Sequence, residues 1–393
     1  MFIISAIFIN NNTNNSTVLV DNDIYEDNLN QTVNKENNNN NSSNSNTSNN
    51  NGKIDDVLKE ELNKVEDKKP FKEEKIKDTV TFTYLGEIMM GGAVTDNLSY
   101  MYNTAFKKIY SLTRYSDYTY TTLSTNITSL DKIQNAKSKY IVTSDIISAF
   151  NGLGIDGISV ATDYMTDYSK TIFENTTKQL SNNQINISGL NDSTVYFESN
   201  GKKIAIISAI NSYLNNKKTY IEYGINIYSE EKMEKDIIKA KENADFVIVD
   251  FHFGKSNTDT ITYEMADIAM HAIDSGADLI LGAHNLGAKG VIMYETKPIV
   301  YSAGYLITDS NIEEAKKSYI YNFNINKDNK IDQIQMIPTY TKDKLEVIPY
   351  CEYNKKDSKK YMDLTIKEMF KYKLESKIED DTIIINLPQD TTY

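Results

Sequence analysis

The chain has 393 residues, enough for one large domain with flanking segments. Its formal net charge is −13, which argues against a nucleic-acid surface, since that role wants a basic face. Its single cysteine, Cys351, excludes an internal disulfide framework and a cysteine-rich metal site.

In chain order, Met1 to Ile9 is apolar apart from Ser5. It is too short to span a bilayer, which takes about 20 apolar residues. Residues 10–51 are dominated by Asn, Ser and Thr and offer almost nothing to bury. Residues 53–77 are a mixed-charge run. The whole of 10–78 is expected to be a disordered linker. An apolar stub joined to such a tether is expected to be the remnant of a signal or membrane anchor over residues 1–9.

The folded body begins at Thr79. Thr79 to Leu85 alternates and is β-rich, which predicts the first strand, followed by a glycine-flanked loop from Gly86 to Gly92. A helix is expected over 102–111 and a strand over 118–123. A second helix is expected over 143–150, ended by Gly152 or Gly154. Next come a short strand over 157–161, a helix to about Leu180, a buried strand over 203–210 and a helix over 229–243. The last carries Glu230 and Glu231 in its first turn.

The most informative stretch is 245–305. Phe246 to Phe251 is a buried-strand pattern broken only by Asp250, Thr262 to Ser275 is apolar at helical spacing, and Leu279 to Leu281 is a second buried strand. Strand, helix, strand at this spacing is a βαβ unit, so the sheet is at least partly parallel. Each strand runs into a histidine, His252 and His284, at the end where open α/β sheets collect ligands. Asp250 must be paired, or face a cleft, because an isolated buried carboxylate is costly. His271, four residues after Asp267 on the helix, reads as a surface residue paired with it. Tyr118, Tyr120 and Tyr164 read as core or cleft-lining aromatics. Antiparallel strands are expected over 319–325, 333–337 and 345–348, then a helix over 358–372, with the tail from Glu375 loosely attached.

Five short segments arrive in a characteristic order: Gly86-Glu87-Ile88-Met89, Ala161-Thr162-Asp163-Tyr164, His252-Phe253-Gly254, Gly282-Ala283-His284 and Tyr301-Ser302-Ala303-Gly304. Together they resemble the CapA/PgsA poly-γ-glutamate capsule synthesis proteins. The resemblance implies an α/β, metallophosphatase-like two-sheet sandwich flanked by helices over 79–310. C-terminal strands over 311–350 would complete the domain, and 351–393 would hold a terminal helix and tail. It also implies a place on the outer face of a bacterial cytoplasmic membrane, N-terminally anchored, beside membrane subunits of a polymer synthase or export complex and an anionic polymer.

The sequence departs from the family pattern at several ligand positions. Glu87 stands for an aspartate, Ser124 for a glutamate, Asp163-Tyr164 for Asn-His, and Leu286 for the second histidine of Gly-x-His-x-His. Two metals bridged by a hydroxide need carboxylate and imidazole ligands from several loops. Ser124 and Leu286 supply neither, so a complete two-metal centre is not expected. Glu87, Asp163, His252 and His284 remain as candidate ligands for one divalent metal, manganese or zinc, if any is bound. The expected role is an accessory one in polymer synthesis or export with little hydrolase activity. The alternative is a metal-dependent phosphoester or polymer hydrolase with a reduced site.

Overall fold

In a computed structural model, residues 78–98, 101–129, 140–211, 217–255, 258–372 and 374–388 are described. The expected anchor remnant 1–9 and, but for Asp78, the linker 10–78 lie outside them.

The first half of the domain alternates strands and helices. It comprises β1 (Val80–Ile88), three short helical turns between Ala93 and Thr113, β2 (Tyr118–Leu123), β3 (Asn126–Thr128), β4 (Ile141–Thr143), α1 (Ile146–Leu153), β5 (Ile155–Ser159), α2 (Lys170–Asn182), β6 (Asn186–Ser188), β7 (Val195–Ser199) and β8 (Lys202–Asn211). The second half comprises α3 (Glu230–Lys241), β9 (Phe246–Phe253), α4 (Tyr263–Asp274), β10 (Leu279–Ala283), β11 (Val291–Tyr294), β12 (Lys297–Val300), β13 (Tyr305–Ile307), β14 (Lys317–Ile325), β15 (Ile331–Lys342), β16 (Glu346–Pro349), α5 (Tyr350–Phe370), β17 (Ser376–Glu379) and β18 (Thr382–Asn386). Two helix ends follow the expected chemistry. Thr262 caps α4 by accepting from the Met265 N–H, and Gly154, at φ 68°, closes α1 in the left-handed conformation that glycine adopts without cost.

Two sheets form the sandwich. The larger runs β17-β18-β15-β14-β1-β2-β5-β6, with β13 added to β1 and β16 to β15. The smaller runs β11-β12-β10-β9-β8-β7, and its centre, β8-β9-β10, is parallel as the βαβ reading requires. Strand periodicity sorts the side chains. Phe82, Tyr84 and Tyr120 of one sheet meet Phe246, Ile248 and Leu281 of the other in a core between the sheets. Val247, Val249 and Phe251 of β9 face the opposite way, onto Met233 and Ile237 of α3 and Met265 and Ile268 of α4. The outer face of the larger sheet is covered by Phe150 and Leu153 of α1 and Phe173 and Leu180 of α2. The expected two-sheet α/β sandwich flanked by helices is the observed fold.

Two local features place the site. On β9, Asp250 and His252 share the parity of Phe246 and Ile248, so both point between the sheets at the strand's C-terminal end. On β1 the pairing with β2 slips between Tyr84 and Glu87, and Gly86 takes φ 78°. A Cβ on Gly86 would stand 2.6 Å from the Gly304 carbonyl oxygen. The irregularity re-aims Glu87, and the expected loop at Gly86 to Ile88 is instead the buried end of β1.

The C-terminal segment also differs from expectation. The tail from Glu375 is not loosely attached. β17 and β18 form a hairpin whose inner strand pairs with β15 from Gln333 to Met336, and Ile383 and Ile385 are fully buried. The C-terminal helix starts at Tyr350 rather than Ser358, with a break at Asn354 where the backbone leaves helical geometry.

Candidate metal centre

The C-terminal ends of β5, β9 and β10 converge. Asp163 opens a single 3₁₀ turn after β5, His252 lies near the end of β9, and His284 comes directly after β10. His252 Nε2 is 3.0 Å from Asp163 Oδ1, and His284 Nε2 is 3.9 Å from Asp163 Oδ2. The two imidazole rings are tilted 46° with centroids 4.3 Å apart. Ligand-type atoms of the three residues all lie within 4.8 Å of one another. Both histidines are buried, while Asp163 is partly exposed.

The electrostatics suit a cation. Burial alone would raise the Asp163 pKa, but the hydrogen bond and charge of His252 outweigh it and hold the carboxyl at about 2. Burial, together with the neighbouring His252, pushes His284 down to about 3, so its imidazole is neutral with a free lone pair at physiological pH. For His252 burial works against protonation, and its hydrogen bond to Asp163 overcomes it and raises the pKa. A divalent cation would displace that proton, as metal binding to imidazole does.

The donor set fits one such ion. Two imidazoles and a carboxylate suit zinc or manganese, and a cation about 2 Å from each donor needs donors no more than about 4 Å apart. The cluster is a small side-chain adjustment from that. The Nδ1 atoms of His252 and His284 are both buried with no hydrogen-bond partner. The Nε2 atoms are the ones that face Asp163.

Glu87, the fourth candidate, is near the cluster but outside the three-donor group. It is fully buried, and both its oxygens are in use. Oε1 accepts from the Ser124 hydroxyl, and Oε2 accepts from the His284 backbone N–H at 3.0 Å. That contact matters because His284 sits at φ 84°, a left-handed conformation that costs a side-chain-bearing residue of order 1–3 kcal/mol. On the other side of the same residue, the Tyr305 hydroxyl donates to the His284 carbonyl at 3.2 Å. Glu87 and Tyr305 together hold the backbone that aims the imidazole at Asp163. Burial raises the Glu87 pKa, opposed by the charge of His252 and the Ser124 hydrogen bond.

The remaining residues singled out from sequence fall into place around this group. Tyr164 and Leu286 join Met89, Tyr140, Tyr305 and Ala315 in a small apolar cluster, so neither is placed as a ligand. Asp250 lies deeper between the sheets, where its Oδ2 accepts from the Tyr120 hydroxyl at 3.0 Å. The same hydroxyl contacts Ser188 and Ser208, which ties the two sheets through one polar knot. Tyr118 packs in the core, stacked on Phe197 with centroids 3.8 Å apart. His271 is not the solvated partner of Asp267 that the spacing suggested. It is half-buried, its Nε2 has no hydrogen-bond partner, and it stands apart from the metal-type cluster. Sequence reasoning missed the positioning roles of Ser124 and Tyr305. The clue available was the Gly86-Glu87 pair at a strand end, which signals a bend but not its partners.

Fold and cluster define a class: a two-sheet α/β protein that gathers an aspartate and two histidines of metal-binding type at its strand ends. Residues 81–310 match the bacterial capsule synthesis protein family PGA_cap, and the chain belongs to that family. Over 277 residues it is 24% identical to the capsule biosynthesis protein CapA of Bacillus anthracis, covering 66% of this chain and 67% of that one. Over 266 residues it is 23% identical to the PGA biosynthesis protein CapA of Bacillus subtilis (strain 168), covering 64% and 69%. Among solved structures it is similar to a putative 5'-nucleotidase from Staphylococcus aureus in complex with alpha-ketoglutarate. That likeness has a TM-score of 0.44 and 12% identity, over 69% of this chain and 54% of that one.

Proposed function

We propose that this protein is a cell-surface accessory factor in the synthesis or export of capsular poly-γ-glutamate or a similar anionic polymer. The observation that carries this reading is the family match over residues 81–310. In this reading the N-terminal region anchors the chain on the outer face of the cytoplasmic membrane, beside membrane subunits of the polymer synthase. No helix among the described residues is long and apolar enough to cross a membrane. Asp163, His252 and His284 hold one divalent ion, manganese or zinc, and Glu87 holds His284 in place. Bound by these residues, such an ion would supply Lewis-acid chemistry toward an oxygen of a ligand. Ser124 is spent on Glu87 and Leu286 on the apolar cluster, so among the described residues a second ion has no comparable donor set. The site therefore serves binding and orientation of the polymer, with little or no hydrolysis.

The three-donor cluster itself favours a second reading, a reduced metal-dependent phosphoester or polymer hydrolase. Deletion of the gene together with a cleavage assay of the purified protein separates the two. The accessory reading expects capsule to be lost on deletion and polymer-synthase subunits to co-purify with the tagged protein. Purified protein with manganese or zinc would leave phosphoesters and the polymer intact. Polymer cleavage abolished by His252→Ala would overturn it in favour of the hydrolase. Normal capsule in the deletion strain would overturn the accessory reading.

A further inference from the structure

We infer that the exposed face of α5 is a docking surface for an extended carboxylate polymer. This names a partner contact for the proposed function and rests on that reading. Beyond the break at Asn354 the helix buries Ser358, Met362, Thr365 and Met369, at i, i+4, i+7 and i+11. Two residues from each of these, on the opposite side of the helix, stand Lys356, Lys360, Lys367 and Lys371. At about 100° per residue the four lysines fall within a sector of about 60°, and at about 1.5 Å per residue they extend over roughly 22 Å. All four are exposed, and none has an ion-pair partner among the described residues.

The stripe is not what a merely solvated helix looks like. Lys356 with Lys360 and Lys367 with Lys371 are like-charge i, i+4 pairs, each costing a few tenths of a kcal/mol. The exposed face of α3 does the opposite, pairing Lys235 with Glu231 and Lys232 with Asp236. On α5 the acidic Asp363 is already neutralised by Lys359. A chain with net charge −13 thus keeps four lysines without ion-pair partners on one helix face, with Asp357, Asp363 and Glu368 interleaved among them. A line of point charges on flexible stems matches a flexible polyanion with a carboxylate on every repeat, and the contact should weaken with salt. An anionic lipid surface is the poorer match. The exposed apolar residues Leu364 and Phe370 lie on opposite edges of the stripe, about 120° apart, and make no continuous inserting face. The buried face of the helix is fixed to the domain near its C-terminal end. There Met369 Sδ accepts from the Val291 N–H at the start of β11.

The test uses the full chain and poly-γ-glutamate as the probe, titrated at low and high salt. One variant carries Lys356→Gln, Lys360→Gln, Lys367→Gln and Lys371→Gln. A control of equal net charge carries Lys170→Gln, Lys178→Gln, Lys235→Gln and Lys239→Gln. Melting curves verify that both fold. The expected result is salt-sensitive binding by the unaltered protein, at least tenfold weaker in the stripe variant and within about twofold in the control. Equal loss in both variants, or no binding by the unaltered protein, overturns the inference. So does stripe-dependent binding to phosphatidylglycerol vesicles with polymer binding unchanged, which would assign the face to lipid. If deleting the gene abolishes capsule while the stripe variant binds polymer normally, this inference fails alone. If deletion leaves capsule normal, the functional reading beneath it fails.

Discussion

At the scale of single residues, Glu87 and Asp250 are two buried carboxylates with different jobs. Glu87 accepts from Ser124 and from the His284 backbone, so its role is to fix a strained turn. Glutamine can retain both contacts, accepting from the His284 N–H and donating to Ser124, whereas alanine retains neither. Glu87→Gln should therefore keep manganese or zinc affinity within a few-fold by calorimetric titration, and Glu87→Ala should lose tenfold or more, in the range of outer-shell substitutions. Equal losses in the two would mean that Glu87 is itself a ligand. Asp250 is fully buried, and burial lifts its pKa from 3.8 to about 6, against the opposing hydrogen bond from Tyr120. A folded-state pKa above the unfolded one favours folding at low pH. That contribution is complete below about pH 4 and is lost as pH rises through about 6. The displacement is worth roughly 3 kcal/mol. In metal-free protein, Asp250→Asn should thus stabilise at pH 8 by up to that amount and change little at pH 4. Denaturant unfolding at the two pH values checks this, and a variant that destabilises equally at both would refute it.

At the scale of elements, the parallel centre β8-β9-β10 is the legible part. Its strands are short apolar runs, its helices carry periodic apolar faces, and Gly276 stands past the last turn of α4 at φ 115°. The end of β1 is harder to read, because a register slip at Gly86 depends on the partner strand and leaves only a glycine as its trace. The C-terminal hairpin escapes a local reading because β17 and β18 have four and five residues. The partner of β18, β15, lies some 50 residues away in sequence, and nothing nearby announces it. Because the hairpin is part of the core, its removal should be costly. A chain ending at Leu374 would uncover Ile334 and Met336 and delete the buried Ile383 and Ile385. Each buried side chain of this size is worth about 1.5–3 kcal/mol, so the truncated protein should melt well below the full chain and bind hydrophobic dyes. An unchanged melting temperature would contradict the packing of β18 on β15.

At the scale of the whole molecule, the proposed function rests on two long-range arrangements, and the sequence discloses them unequally. The strand-end histidines, His252 and His284, could be placed at one end of the sheet from topology alone, and Asp163 from its motif. That Ser124 hydrogen-bonds Glu87 and that Leu286 joins Tyr164 in an apolar cluster required the folded chain. Composition carries only the global charge and hides the basic line on α5. Metal removal should act locally. Chelation should lower the melting temperature, because an ion bound only by the folded state adds its binding free energy to stability. The most direct measurement is the metal content of the purified protein after loading with manganese or zinc and removal of excess. The three-donor site predicts about one ion per chain, and none in the His252→Ala/His284→Ala double variant with its fold intact. Two ions per chain, or an ion retained by the double variant, or none held by the unaltered protein, would contradict it.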